Sequence, residues 1–170
     1  KMGHREFHYG ALLVRRHAGR EEAIRVRRKL SPRTGWRELL WCVDWETGRK
    51  DPGRLEAMMG APLAAAPALE VLIRHRAGAE GLEAASFAAM THYPFEMESQ
   101  LQGWMALLLG EARDGRDGHA LLQLAKDAGW IHPETPPEEF ARLLATFVSG
   151  GFLESGVCPL PTSPAHAEAE

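Results

Sequence analysis

The C-terminal half of the chain carries paired start and stop signals for helices, and these signals constrain the fold most. The order Thr135-Pro136-Pro137-Glu138 has the form of a capping box with proline in the first turn, and Gly150 ends the segment it opens. Asp117 can cap a preceding helix that Gly129 terminates. The sequence therefore predicts helices over residues 118–128 and 136–149.

Further helices are predicted upstream because glycine and proline divide the chain into short segments with apolar spacing. The segment 54–59 ends at Gly60, and Pro67 suits the first turn of a helix over 67–77 with Gly78 as its stop. The Ala-rich stretch 82–90 and the apolar stripe of 97–109 are interpreted as helices as well. Residues 54–154 then form an all-helical bundle of about five helices.

The N-terminal third has a different pattern. Residues 36–45 place Leu39, Trp41, Val43 and Trp45 on one parity, which is typical of a strand. Alternation over 7–13 predicts another strand. Between them, residues 20–30 have acids first and bases last, which favours a short helix through its dipole, with a strand as the alternative.

The predicted fold class is therefore α+β, with a small basic strand-helix-strand portion packed on the C-terminal helical bundle. Residues 1–53 form the basic portion, 54–154 the helical portion, and 155–170 have the composition of a disordered tail. A chain of 170 residues with 45% hydrophobic and 25% charged residues has the make-up of an ordinary globular domain.

Charge is divided unevenly along the chain. The net charge is −3, but residues 1–54 contain 14 Lys/Arg and 7 Asp/Glu, whereas residues 55–170 contain 6 Lys/Arg and 16 Asp/Glu. A basic segment of this kind can bind phosphates or acidic protein, or it can pair with the chain's own acids. We hypothesise that it forms a partner-binding surface, for which Arg also suits bidentate contacts and Trp suits stacking. Its predicted residues are Arg15, Arg16, Arg20, Arg25, Arg28, Lys29, Arg33, Trp36 and Arg37.

Catalytic and metal-binding patterns are weak. His4 and His8 have four-residue spacing, but Glu6 does not follow the first histidine directly, and on a strand the two imidazoles lie too far apart to share an ion. Cys42 and Cys158 are distant in sequence and predict neither a disulfide framework nor a thiolate metal site. No catalytic residue, metal or cofactor is therefore predicted, and no sequence motif identifies a phosphate loop.

The leading functional hypothesis is a non-catalytic binding module whose basic surface holds nucleic acid or an acidic protein segment. Two alternatives stay open: a subunit or regulatory domain that acts through its apolar helices, with a partner subunit or a second copy, and a small enzyme whose histidines and carboxylates meet only in the fold. No apolar run is long enough to span a bilayer and no secretory signal is visible, so a cytoplasmic protein without membrane contact is expected.

One resemblance to a known family is visible. Arg5-Glu6-Phe7, then Leu12-Leu13-Val14-Arg15, and finally Phe152-Leu153-Glu154 resemble the regulatory domain attached to some bacterial methyltransferases. The resemblance implies a regulatory rather than a catalytic role, and no site residue is taken from it.

Overall fold

Helices and antiparallel strands are interleaved along the chain in groups. The computed structural model describes residues 24–79, 81–113 and 115–161. The described residues form five helices and six strands, so the protein is α+β. The helices are α1 (Trp36–Gly48), α2 (Pro52–Met59), α3 (Gly103–Glu111), α4 (Gly118–Asp127) and α5 (Pro137–Ser149). The strands are β1 (Lys29–Leu30), β2 (Leu63–Ala65), β3 (Leu69–Gly78), β4 (Gly81–Thr91), β5 (Phe95–Leu101) and β6 (Leu153–Ser155).

Two antiparallel sheets organise the strands. The larger has the order β1-β5-β4-β3, and the smaller pairs β2 with β6. β4 is central because it pairs with β3 along its whole length and with β5 only from Phe87 to Thr91. Consequently residues 81–86 pair with β3 alone, and the far end of the hairpin is a two-stranded ribbon among the described residues.

The core lies where α2, α4 and α5 pack against α1 and the base of the sheet. Met58, Leu121, Leu144 and Val148 are completely buried, and Trp45 is 1% exposed. α5 contributes the widest apolar face, which fits its recurring apolar residues at helical spacing. These helices cover one end of the sheet and leave the hairpin ribbon outside the core.

The predicted C-terminal all-helical bundle is wrong. A four-stranded antiparallel sheet lies in the middle of the structure, and the helices are interleaved with strands. The helices expected over 67–77 and 82–90 are the two arms of the β3–β4 hairpin. The run Val71-Leu72-Ile73 suits a strand, and cross-strand pairing overrides the helix propensity of the alanines in 82–90.

The region expected as helix over 97–109 changes structure in its middle. β5 continues to Leu101, and α3 begins at Gly103. Helices at 54–59, 118–128 and 136–149 are confirmed within one or two residues, although the N-cap of α5 is Pro136, without a side-chain hydrogen bond, rather than Thr135.

The N-terminal strand-helix-strand prediction is also wrong in its described part. Residues 36–45 lie in α1 instead of a strand, because Trp41 and Trp45 are spaced four apart and bury one helical stripe. Residues 24–28 have no regular secondary structure, and 29–30 form β1 instead of a helix end. The strand expected over 7–13 lies outside the described residues.

The C-terminal segment after residue 154 is described as far as Pro161. Ser155 belongs to β6 and Cys158 is 7% exposed, so this part packs against the core. Residues 162–170 of the expected tail lie outside the described residues. Across the described ranges, no helix is both long enough and apolar enough to cross a membrane.

Candidate functional site

The structure separates the predicted partner-binding residues into three groups. Arg15, Arg16 and Arg20 lie outside the described residues. Arg28 and Lys29 contact acids of the chain itself. The residues Arg25, Arg33, Trp36 and Arg37 are exposed, and the last three lie close in sequence where α1 begins.

Arg28 is part of the junction between α1 and α5. Its guanidinium pairs with Glu46, which is 5% exposed and also accepts from Nε of Arg49 at 2.7 Å. The same guanidinium lies 3.4 Å from the carbonyl oxygen of Ser149, whose Oγ accepts from Nε1 of Trp45 at 2.8 Å. Because the Arg28 side chain is 18% exposed and shares a buried carboxylate with Arg49, it contributes little to any surface for anions.

Lys29 forms an ion pair with Glu96, its cross-strand partner in the β1–β5 pair. The lysine side chain is 77% exposed, and Glu96 is 29% exposed. A pair this open to solvent is weak and screened by salt, so it lowers the local positive charge without fixing the chain strongly. Two of the predicted cations are thus paired internally.

An exposed surface remains at the start of α1 and in the turn before it, formed by Arg33, Trp36, Arg37 and Leu40, and we call it the α1 face. Trp36 is 61% exposed and Leu40 is 49% exposed. They are four residues apart in α1 and therefore neighbours on its surface. Arg33 lies in the turn that precedes α1, Arg37 lies in its first turn, and both are exposed. The α1 face therefore combines two large apolar side chains with two guanidinium groups.

A fixed turn leads into α1. The backbone N–H of Ser31 donates to Oγ1 of Thr34 at 2.8 Å, and that hydroxyl donates to the carbonyl oxygen of Pro94 at 2.7 Å. The N–H of Gly35 donates to Oε2 of Glu38 at 2.7 Å, which is the carboxylate half of a capping box. These bonds tie the start of the α1 face to the end of the sheet.

The buried side chain of Glu38 connects this turn to Tyr93. Its side chain is 5% exposed, and Oε1 accepts from the hydroxyl of Tyr93 at 2.6 Å. Burial alone raises the pKa of Glu38, but the hydrogen bonds from Tyr93 and the backbone, together with the charge of Arg37, outweigh it and leave the pKa below its usual value. Burial and the bond to the Glu38 carboxylate raise the pKa of Tyr93. Glu38 is therefore a charged structural group rather than an acid catalyst.

A cleft of about 720 Å³ lies between the end of α1, α2, α4 and α5. Its apolar wall includes Leu55, Met59 and Ala141. Charged side chains of both signs surround this wall, which gives the cleft no uniform preference for an anion or a cation. They are Arg49, Lys50, Glu56, Glu138 and Arg142.

Metal ligands and thiols were the candidate reactive groups, and the described residues place them as follows. Over residues 24–79, 81–113 and 115–161, no three His, Cys, Asp or Glu residues are grouped so that they could hold a metal ion. Cys42 and Cys158 are both buried free thiols, and burial raises the pKa of each above its usual value. Thiols of this kind are poor nucleophiles at neutral pH.

Sequence reasoning missed Leu40. On a strand over 36–45, Trp36 and Leu40 would lie on the same face but about 13 Å apart, whereas the helix makes them neighbours. The four-residue spacing of the two apolar residues was the signal that could have identified it.

Comparisons with known proteins give no family for this chain. No model of a protein family matches it, and a search of curated proteins finds no relative. The resemblance to the methyltransferase regulatory domain therefore gains no support from them.

Proposed function

We propose that this chain is a non-catalytic binding module that holds an acidic segment of a partner protein on its α1 face. The observation that carries the proposal is a tryptophan that is 61% exposed at the start of α1, one turn before the exposed Leu40 and close in sequence to the exposed Arg33 and Arg37. Trp and Arg are the residue types most often responsible for the binding energy of protein interfaces. A large exposed aromatic side chain among cations has no role in the core described above.

The composition of the α1 face favours protein over nucleic acid. Tracking a phosphate backbone needs many unpaired cations, and each phosphate contact adds to the affinity. Here Arg28 is 18% exposed and paired with the buried Glu46, which leaves little of its guanidinium for phosphate, and Lys29 has Glu96 as a weak partner. An acidic segment with apolar side chains fits better, because Trp36 and Leu40 can bury those side chains while Arg33 and Arg37 pair with the carboxylates.

Rigidity of the α1 face supports the same function. The hydrogen bonds of Thr34 and Glu38 hold the residues around Trp36 in one arrangement before any partner binds. Binding to such a surface loses less conformational entropy than binding to a mobile loop. Because Cys42 and Cys158 are free and buried, we also propose that the module works in a reducing compartment such as the cytoplasm.

The proposal is tested by selecting random 16-residue peptides displayed on phage against the purified protein. We expect selected peptides to combine Asp or Glu with Leu, Phe or Trp. Their affinity is expected to fall about thirtyfold or more for W36A/L40A. R33E/R37E is expected to weaken binding and to invert its salt dependence, because the reversed charges repel an acidic peptide and salt screens that repulsion.

A matched control makes the same change of charge at Arg113 and Arg142, which are exposed arginines elsewhere. R113E/R142E should leave peptide affinity unchanged within a factor of about two. If no acidic peptide is selected, or if R113E/R142E weakens binding as much as R33E/R37E, the α1 face is not the binding surface. Steep salt-dependent binding of a single-stranded oligonucleotide in place of peptides would assign the face to nucleic acid instead.

A further inference from the structure

The β3–β4 hairpin places β3 at the edge of the main sheet, with an apolar run, Val71-Leu72-Ile73, that lies before a bulge between Arg74 and His75. Among the described residues, β3 pairs only with β4, so one side of its backbone has no strand partner. Val71, Leu72 and Ile73 are 41%, 45% and 48% exposed. A long apolar edge strand is a template for pairing with another strand, and folded proteins usually protect it.

The ribbon at the far end of the hairpin also lacks a packing partner. From Phe87 toward Gly81, β4 pairs with β3 but no longer with β5, and Leu82 is 76% exposed. A two-stranded ribbon is marginally stable in water unless a further strand or a helix covers it. An additional strand on β3 would supply that support.

The sequence of β3 is complementary to itself in one antiparallel register. A two-fold axis perpendicular to the sheet at Leu72 places Leu72 opposite its own copy. In that register Glu70 lies opposite Arg74 of the copy, and Val71 lies opposite Ile73 of the copy, each pair occurring twice by symmetry. Opposite charges and apolar pairs directly across from one another are the pairs that stabilise sheets.

Neighbouring registers lack this match. Centring the axis on Val71 places Glu70 opposite Leu72, and centring it on Arg74 places two arginines opposite each other. Centring it on Ile73 places Glu70 opposite Arg76 but leaves Leu72 opposite Arg74. The Leu72-centred register is therefore the one in which charged residues meet opposite charges and apolar residues meet apolar ones.

The surroundings of these side chains are compatible with such pairing. Arg74 forms no ion pair with any other residue in the described ranges, and Glu70 has only His92 nearby, with Nε2 at 3.9 Å from its carboxylate. Arg76 lies 3.9 Å from Glu83 on the same hairpin. Its charge is thus directed toward its own hairpin rather than toward a partner strand.

We propose that two copies of this chain associate through antiparallel pairing of their β3 strands, with the two-fold axis at Leu72. The result is a continuous sheet that runs through both copies and covers the exposed edge. The α1 face lies on a different element, so self-association does not depend on the proposed binding of an acidic segment.

The test is analytical ultracentrifugation of the full chain over a range of protein concentrations. E70R and R74E each place like charges opposite one another twice, and we expect each to weaken association about tenfold or more. The double variant E70R/R74E exchanges the charges and should restore the wild-type affinity. An equal mixture of the two single variants should also associate, because the Arg-bearing strand then faces the Glu-bearing strand.

R76E is the matched control, since Arg76 has no charged partner in the Leu72-centred register. It should leave association unchanged, whereas it would disrupt the register centred on Ile73. Circular dichroism checks that each variant is folded, and rescue by mixing excludes misfolding as the cause of dissociation. A wild-type monomer at all concentrations, or a dimer that ignores E70R and R74E, overturns the proposal and leaves β3 for another occupant, such as residues 1–23 of the same chain.

Discussion

The helices α2, α4 and α5 and the β3–β4 hairpin are stabilised in opposite ways. In the helical core, Met58, Leu121 and Leu144 are completely buried, and side-chain packing fixes the position of each helix. In the hairpin, Leu72 and Leu82 remain 45% and 76% exposed, and backbone pairing between β3 and β4, with one bulge between Arg74 and His75, holds the strands. The apolar side chains of the core are therefore shielded from solvent, whereas those of the hairpin stay exposed.

Because of this difference, we expect the loss of one side chain to change the free energy of unfolding more in the core than in the hairpin. Burial concentrates stability at particular residues, and backbone pairing distributes it along a strand. Comparing matched substitutions in the two regions measures the contrast directly.

The largest effect is expected for Leu144→Ala in α5. Leu144 is 0% exposed, so the substitution leaves a cavity and should lower the free energy of unfolding by about 2–5 kcal/mol. Leu82→Ala in the ribbon is the control and should change it by less than about 0.5 kcal/mol. Urea unfolding of both variants tests this, and equal losses would show that the ribbon is as well packed as the core.

A smaller effect is expected at the junction between α1 and α5. Glu46→Gln leaves Arg28 and Arg49 without their carboxylate and should destabilise the protein by about 1–3 kcal/mol. Glu96→Gln removes the exposed partner of Lys29 and should cost less than about 0.5 kcal/mol. The denaturant concentrations at the unfolding midpoints of the two variants measure both losses of stability. Similar losses for Glu46→Gln and Glu96→Gln would contradict the prediction.

Two helical glycines test how tightly the core is packed. A Cβ on Gly118 would lie 2.8 Å from the sulfur and 2.9 Å from Cα of Met59, so Gly118→Ala should cost about 1–3 kcal/mol. A Cβ on Gly110 in α3 meets nothing within 4 Å, and Gly110→Ala should raise stability by about 0.5–1 kcal/mol. The midpoint temperature of thermal unfolding should fall for Gly118→Ala and rise for Gly110→Ala.

The smallest effect concerns the bond between Tyr93 and Glu38, which joins the sheet to α1. Because the folded-state pKa of Glu38 lies below its usual value of 4.5, Glu38 stabilises the fold above that pH and loses this contribution as pH falls through the folded-state pKa. Tyr93→Phe should cost about 1 kcal/mol at neutral pH. This cost should shrink as the pH falls below 4.5, because protonation of Glu38 removes the charged acceptor of the Tyr93 hydroxyl. A cost that is the same at about pH 7 and at about pH 3 would contradict this role of Glu38.

The sequence predicted the helices of the core because their signals are local. Asp117 and Gly60 act within a turn of the helix they border, and their helices are confirmed. The β4 arm of the hairpin was mispredicted because it depends on pairing between distant residues such as Val71 and Ala89, which outweighs the helix propensity of its alanines. For β3, the run Val71-Leu72-Ile73 was a local strand signal that the proline and glycine helix signals obscured. Alternation over 36–45 was misleading, since Trp41 and Trp45 satisfy both strand parity and helical spacing.

The candidate site was predictable to the same limited extent. Arg33, Trp36 and Arg37 were identified from residue type and proximity in sequence, and the structure keeps them exposed. The inward orientation of Arg28 could not be predicted, because it depends on Ser149, which is distant in the chain. Leu40 was missed because its value to the site depends on α1 being a helix.

The small β2–β6 sheet has a consequence for the order of folding. Its two strands, Leu63–Ala65 and Leu153–Ser155, enclose residues 66–152, which include the hairpin and three helices. Closing so long a loop costs more chain entropy than forming the local hairpin or a single helix. We therefore expect β2 and β6 to pair late, so that substitutions at Leu63 and Leu153 accelerate unfolding while leaving the folding rate nearly unchanged.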